Sequence, residues 1–226
     1  MTALEILNLA SIKLDDMTAP YLWETEEFVA GLNWAINRAC RRGKLIRDSK
    51  TAAICTISLL AADTSQDYAL DSRVIDVERA KLATCAVPMT RSTRQEMDEQ
   101  FPTWRDAGNT AGTPLRYCLD YSDHYISLDR ISDKNESLYL TVIRLPLAQI
   151  SMSNLGVTPE LDEDFHVLLV DGIMSQSYLK QDDQTYFPAK AKEHMAIFDA
   201  SIAEMSKAKL RLTQTAFYVG PHLGAR

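Results

Sequence analysis

Residues 23–47 read WETEEFVAGLNWAINRACRRGKLIR and carry the clearest helical pattern in the chain. Phe28, Leu32, Ile36, Ala39 and Cys40 recur at helical spacing, which predicts a helix with one apolar face. Glu24 or Thr25 is expected to cap its start, where Glu26 and Glu27 suit the positive end of the helix dipole. Arg38, Arg41, Arg42, Lys44 and Arg47 crowd the far end, with Gly43 as the expected C-cap.

The pattern changes on either side of this helix. Toward the N-terminus, Leu4, Ile6, Leu7, Ala10 and Ile12 suggest a short helix ending near Asp15-Asp16, before the break at Ala19-Pro20. Beyond it, residues 53–59 alternate with period two, which predicts a half-buried strand. Further strands are expected at Tyr68–Asp71 and Arg73–Leu82. Ser92-Thr-Arg-Gln95 reads as the capping box of a short helix ended by Pro102. Leu115–Asp120 and His124–Leu128 are expected to pair as a hairpin across Tyr121-Ser122-Asp123. Leu138, Leu140 and Val142 alternate with Tyr139, Thr141 and Ile143, and Pro146 closes that strand or places it on an edge.

Helical signals return at Thr158-Pro159, an expected N-cap and first helical position, followed by Glu160, Asp162, Glu163 and Asp164 in the first turn. Phe165, Leu168, Leu169, Gly172 and Ile173 form an apolar stripe. A second helix after Pro188 has Ala191, Met195, Phe198, Ile202 and Met205 on its inner face. The tail from Thr213 to Arg226, with Phe217 and Tyr218, lacks helical periodicity. The expected class is therefore α+β: a helical bundle formed by the N- and C-terminal segments, with an inserted antiparallel β-rich domain. The expected divisions are residues 1–50, an inserted part at 51–155, a returning helical part at 156–212 and an extended tail at 213–226.

The composition supports an ordered chain. Of 226 residues, 46% are hydrophobic and 24% charged, an ordinary globular balance. A net charge of −7 argues against a general binder of phosphate backbones. The first residues lack a basic start before an apolar block, so no signal peptide is expected, and no run is long enough to predict a membrane span. The cysteines at 40, 55, 85 and 118 fit no zinc or CxxC spacing and read as reduced, mostly buried thiols.

No catalytic constellation emerges from the sequence. The histidines at 124, 166, 194 and 222 form no HxxxH, HxH or HExxH pattern, and His166 and His194 read as packing or solvated residues. GxxxxGK[ST], GxGxxG and GxSxG motifs do not occur. No cofactor and no metal are expected. The acids at 160–164 are explained by the dipole of the helix they open. The basic run Arg38–Lys50 is the strongest local charge feature, read as a solvated helix end or an interface. Two other readings stay open: a cysteine or metal hydrolase assembled from distant residues such as Cys118 with His124, and a DNA-binding accessory protein using Arg38–Arg47.

Several short motifs, in order, resemble one family. They are Leu14-Asp15-Asp16, Leu22-Trp23-Glu24-Thr25-Glu26-Glu27, Leu32-Asn33-Trp34-Ala35, Tyr68-x-Leu70-Asp71, Phe101-Pro102-x-Trp104, Gly112-x-Pro114-x-x-Tyr117, Arg144-Leu145-Pro146 and Asp164-Phe165-His166-x-x-Leu169. Across residues 3–200 the chain resembles the head-to-tail adaptor, or connector, proteins of tailed bacteriophages. It departs from the family pattern at Leu22, where an arginine is usual, and at Ile36, where glutamine is usual.

The resemblance implies a non-enzymatic virion protein at the head-tail junction, made in the host bacterial cytoplasm. It implies a homo-oligomeric ring of twelve copies beneath the portal protein, offering a platform to the tail nozzle or tail tube. Genomic DNA would pass through the lumen without specific binding, and no membrane is involved. Ring closure needs two different surfaces on each copy. Arg38, Arg41, Arg42, Lys44 and Arg47 are the candidate basic surface. Glu160, Asp162, Glu163 and Asp164 of a neighbour are its expected complement. Phe217 and Tyr218 of the tail are further candidate contacts, ordered by a portal or neighbouring subunit.

Overall fold

The computed structural model describes residues 1–61, 63–106 and 111–214. In chain order the elements are α1 (Ala3–Lys13), α2 (Thr25–Gly43), β1 (Arg47–Asp48), α3 (Ala52–Cys55), β2 (Thr56–Leu59), β3 (Asp67–Ala69), β4 (Val74–Leu82), β5 (Thr90–Arg91) and α4 (Arg94–Gln100). They continue with β6 (Arg116–Cys118), β7 (Tyr125–Leu128), β8 (Glu136–Arg144), α5 (Glu163–His166), α6 (Leu169–Ser177) and α7 (Pro188–Gln214). The class is α+β. The chain divides into a helical unit, made of Met1–Leu45 with the described residues from Pro146 on, and a strand-rich unit, Ile46–Leu145.

In the helical unit, α2 starts where Glu27 accepts the Glu24 N–H at 2.8 Å. Its apolar face, including Phe28, Leu32, Ala35, Ile36, Ala39 and Cys40, is buried. The helix ends at Gly43, but the left-handed residue is Lys44, at φ 50°, whose N–H returns to the Cys40 carbonyl. Gly43 is needed for space rather than for dihedral freedom. A Cβ there would stand 2.8 Å from Leu45 Cγ and 3.1 Å from Ile202 Cγ2. Upstream, α1 opens with a Thr2–Glu5 capping box. The Asp16 carboxylate then accepts the N–H groups of Leu22 and Trp23, at 2.9 and 3.1 Å, fixing the entry to α2.

The expected helix start at Thr158-Pro159 is displaced to Glu163, with Asp162 at the N-cap. Two side chains explain the delay. Glu160 accepts the Leu147 N–H at 2.7 Å. The Leu161 carbonyl takes a hydrogen bond from His166 Nε2 at 2.9 Å. α7 begins at Pro188 as expected and buries Ala191, Phe198 and Ile202, while Met195 and Met205 are half-buried.

In the strand-rich unit β8 is central. β4 lies along one edge, and β1 and β2 share the other, all antiparallel to β8. Pro146 therefore terminates an inner strand. Leu138, Leu140 and Val142 are buried while Tyr139 is half exposed, as the alternation predicts, but the pattern ends at Ile143, which is buried although it belongs to the other set. A second sheet runs β3-β7-β6-β5. β6 and β7 form the expected hairpin, whereas β5 pairs with β6 in parallel, the exception to an antiparallel unit.

Two local readings change. Residues 52–55 are a helical turn and only Thr56–Leu59 is strand. Asp48 turns the chain there by accepting the N–H groups of Lys50 and Thr51 and the Thr51 hydroxyl, at 2.8, 3.1 and 2.6 Å. The capping box of α4 is Thr93–Glu96, one residue later than expected, because the Ser92 N–H is taken by the Tyr117 carbonyl.

Three carboxylates of this unit are held below their ordinary range. Burial works to raise Asp48 and Asp67, and hydrogen bonds override it: Thr51, Lys50 and Arg144 at Asp48, Arg105 and Ser127 at Asp67. Asp71 is brought to about 2, chiefly by hydrogen bonds from the Arg73 side chain and N–H. Lowered folded values mean stability that is present above the unfolded carboxylate value of about 4 and lost as pH falls through the folded values. Thermal unfolding between pH 5 and pH 2, at roughly these bounds, is expected to show a falling melting temperature. In the Asp71→Asn variant the decline should be shallower, and an unchanged slope would contradict this assignment.

Candidate subunit interface

The cations of the basic run 38–47 are divided among different partners. Arg38 forms a two-point contact with Asp199 of α7, both bonds at 2.8 Å, and lies over the Trp34 ring at 5.3 Å. Arg42 reaches the same carboxylate at 2.7 Å. Hydrogen bonding from Arg38, then the nearby charges of Arg38 and Arg42, hold the Asp199 carboxyl below its usual range. Arg41 and Lys44 are exposed at the end of α2. Arg47 belongs to the strand-rich unit, where it pairs with Glu78 at 2.5 Å.

The acid run also has partners within its own unit. Glu160 is engaged by Leu147, and Asp162 pairs with Lys209 of α7 at 2.9 Å. Lys209 also donates to the Leu45 carbonyl, so Asp162 lies at the same end of the unit as the end of α2. Glu163 and Asp164 are exposed in the first turn of α5. Phe217 and Tyr218 lie outside the described residues.

The alternative chemistries find little support in the geometry. Burial pushes the Cys118 thiol up to about 11, and likewise Cys55, so neither is a ready thiolate. His166 is buried, with Nε2 on the Leu161 carbonyl and Nδ1 accepting from the Met1 amino group at 3.1 Å. His194 contacts Asp171 at 2.9 Å and stacks on Tyr178 at 5.7 Å. Among the described residues no group of three or more His, Cys, Asp or Glu is placed to hold a metal ion, and no helix is long and apolar enough to cross a membrane.

One surface was not singled out from the sequence. A cleft of about 290 Å³ in the helical unit is lined by Leu4, Leu7, Met17, Tyr21, Trp23 and Phe28, among others. Its signal in the sequence is that α1 is apolar on more than one side. Ala3, Ile6, Leu7 and Ala10 are buried, while Leu4 and Ile12 face outward.

Several of the motif residues that carry the resemblance help to hold the two units in shape. Trp23 is buried and donates from Nε1 to the Ser177 carbonyl at 3.0 Å. Asn33 binds both polar atoms of the Ile150 backbone, at 2.8 and 2.9 Å, like one more rung of a strand. Trp104 and Tyr117 are buried in the strand-rich unit, and Phe165 and His166 in the helical one. No curated protein matches the chain. The model of the SU10 adaptor protein family matches residues 1–220, nearly end to end. With that match spanning both units, the chain belongs to the SU10 adaptor protein family, a family of phage head-tail adaptors.

Proposed function

We propose that this adaptor forms a ring of twelve copies beneath the portal protein, seals the DNA-filled head and receives the tail nozzle or tail tube. The observation that carries this reading is the family match over residues 1–220. It is supported by the pairing of Arg38 and Arg42 with Asp199, which neutralises part of the charge a DNA-binding reading would use. The end of α2 then serves as a protein contact, together with Glu163, Asp164 and the tail residues Phe217 and Tyr218. Repeated around a lumen, a net charge of −7 per copy lets DNA pass without adhering. The chain acts as a structural part of the virion and performs no catalysis.

The test is to mix the purified chain with its portal protein and view the product by electron microscopy. A ring capping the portal is expected, with twelvefold symmetry. Failure to bind the portal would overturn the reading. Reversing charge at Arg41 and Arg42 together should reduce ring formation, and a normal ring from that variant would remove them from the interface.

A further inference from the structure

The strand-rich unit is entered and left at one place. β1, where the chain comes in, pairs antiparallel with the end of β8, where it goes out, Arg47 opposite Ile143 and Asp48 opposite Val142. Opposed residues of such a pair stand about 5 Å apart. The Arg144 N–H donates to the Ile46 carbonyl at 3.1 Å, and the Leu145 N–H to the Arg73 carbonyl at 2.9 Å. Between the same two strands the buried Arg144 guanidinium meets the Asp48 carboxylate at 2.6 Å. Both crossings of the chain are thus clasped by groups of the unit itself.

The core follows the same rule. A buried cluster that includes Leu59, Val77, Leu82, Tyr117, Ile126 and Leu140 has all its members between Ile54 and Val142. The unit runs to about 100 residues, an ordinary size for a domain with its own core. In the helical unit, the residues on either side of the insertion are held by that unit's own groups. Leu45 is buried, and its carbonyl accepts from Lys209. The Leu147 N–H donates to Glu160, and Asn33 of α2 binds both polar atoms of the Ile150 backbone.

We propose that this clasp makes residues 46–145 a self-closed insertion, which opens and recloses while the helical unit stays folded. While the insertion is folded, the clasp presents its two ends to the helical unit side by side. When it opens, the helical unit carries a flexible loop, and the entropic cost of closing a loop grows only with the logarithm of its length. Each unit keeps its own core, so the helices survive the opening. A partner that rearranges the strand-rich unit on attachment then acts on a part that changes without melting the helices. The inference does not depend on the ring reading.

The test is native-state hydrogen exchange on the full chain, unmodified and carrying Asp48→Ala or Gly172→Ala. The first breaks the clasp. The second puts a Cβ 2.7 Å from that of Ala35, inside the helical unit. With Asp48→Ala the slow amides of β1, β2, β4 and β8 should exchange roughly 100-fold faster, and those of α2, α6 and α7 should stay within about threefold of the unmodified chain. With Gly172→Ala the helices should exchange roughly tenfold faster and the strands should keep their rate. Asp48→Asn, a milder change, should repeat the first pattern at smaller amplitude. Similar acceleration in both units, or loss of protection in both, from any of these variants would show one cooperative block and overturn the proposal. Unchanged exchange in the strands with both Asp48 variants would overturn the clasp.

Discussion

Replacing Asp48 by alanine is expected to cost about 3–5 kcal/mol of stability, the usual result of removing one partner from a buried ion pair. Asp48 and Arg144 are both 8% exposed and meet at 2.6 Å. Without the carboxylate, the Arg144 guanidinium stays buried and loses the countercharge that Asp48 supplies. The turn at Lys50 and Thr51 loses its acceptor as well. Asp48→Asn keeps the shape and loses the charge, so it should fall between the two. Replacing both Asp48 and Arg144 with apolar residues should cost less than the single change, because no charge is then left uncompensated. Urea unfolding gives the loss as a shift of midpoint at constant slope. Hydrogen exchange should locate it in β8 and β1. A loss below about 1 kcal/mol would contradict the role given to this pair.

The second large effect is expected at Gly172. Glycine to alanine inside a helix ordinarily stabilises by about 1 kcal/mol. Here the added Cβ would stand 2.7 Å from the Ala35 Cβ and 3.0 Å from Phe198 Cε1. Ala35 has no side chain to turn away, so the α2 or α6 backbone must move. Phe198 is fully buried and packs against Phe165, with ring centroids 6.1 Å apart. Overpacking of this kind typically costs 1–3 kcal/mol, and a net loss of about 2 kcal/mol is expected. Adding Ala35→Gly to Gly172→Ala should recover part of it, visible as non-additivity in a double-mutant cycle. A more stable Gly172→Ala variant would show that α2 and α6 are packed more loosely than described.

Much of the fold was legible because periodicity is local. The apolar stripes of α2 and α7 and the alternation of β8 follow from which side of each element is buried, and that preference is written every few residues. The hairpin of β6 and β7 was legible for the same reason, its turn lying between two apolar runs. At residues 52–55 the alternating pattern was misleading. Ile54 and Cys55 are buried on a helical turn, and burial alone does not distinguish one turn of helix from half a strand. The candidate interface was legible in part. The cations at the end of α2 were visible as a run, but their partners were not, since Arg38 and Asp199 are 161 residues apart. The cleft was missed because its lining residues, from Leu4 to Phe28, are brought together only when α1 packs beside the segment that leads into α2.

The sequence by itself determined the class, the main helices and strands, and membership of an adaptor family through motifs in a fixed order. Tertiary structure decided what those motifs do. It put Asn33 on the Ile150 backbone, Trp23 on the Ser177 carbonyl and Asp48 against Arg144, across 117, 154 and 96 residues of chain. It also decided which charges are already satisfied and which face outward. The physical reason is common to all of these. Periodicity is a property of neighbours along the chain, whereas pairing of buried polar groups depends on which distant segments meet, and that is settled only when the whole unit packs.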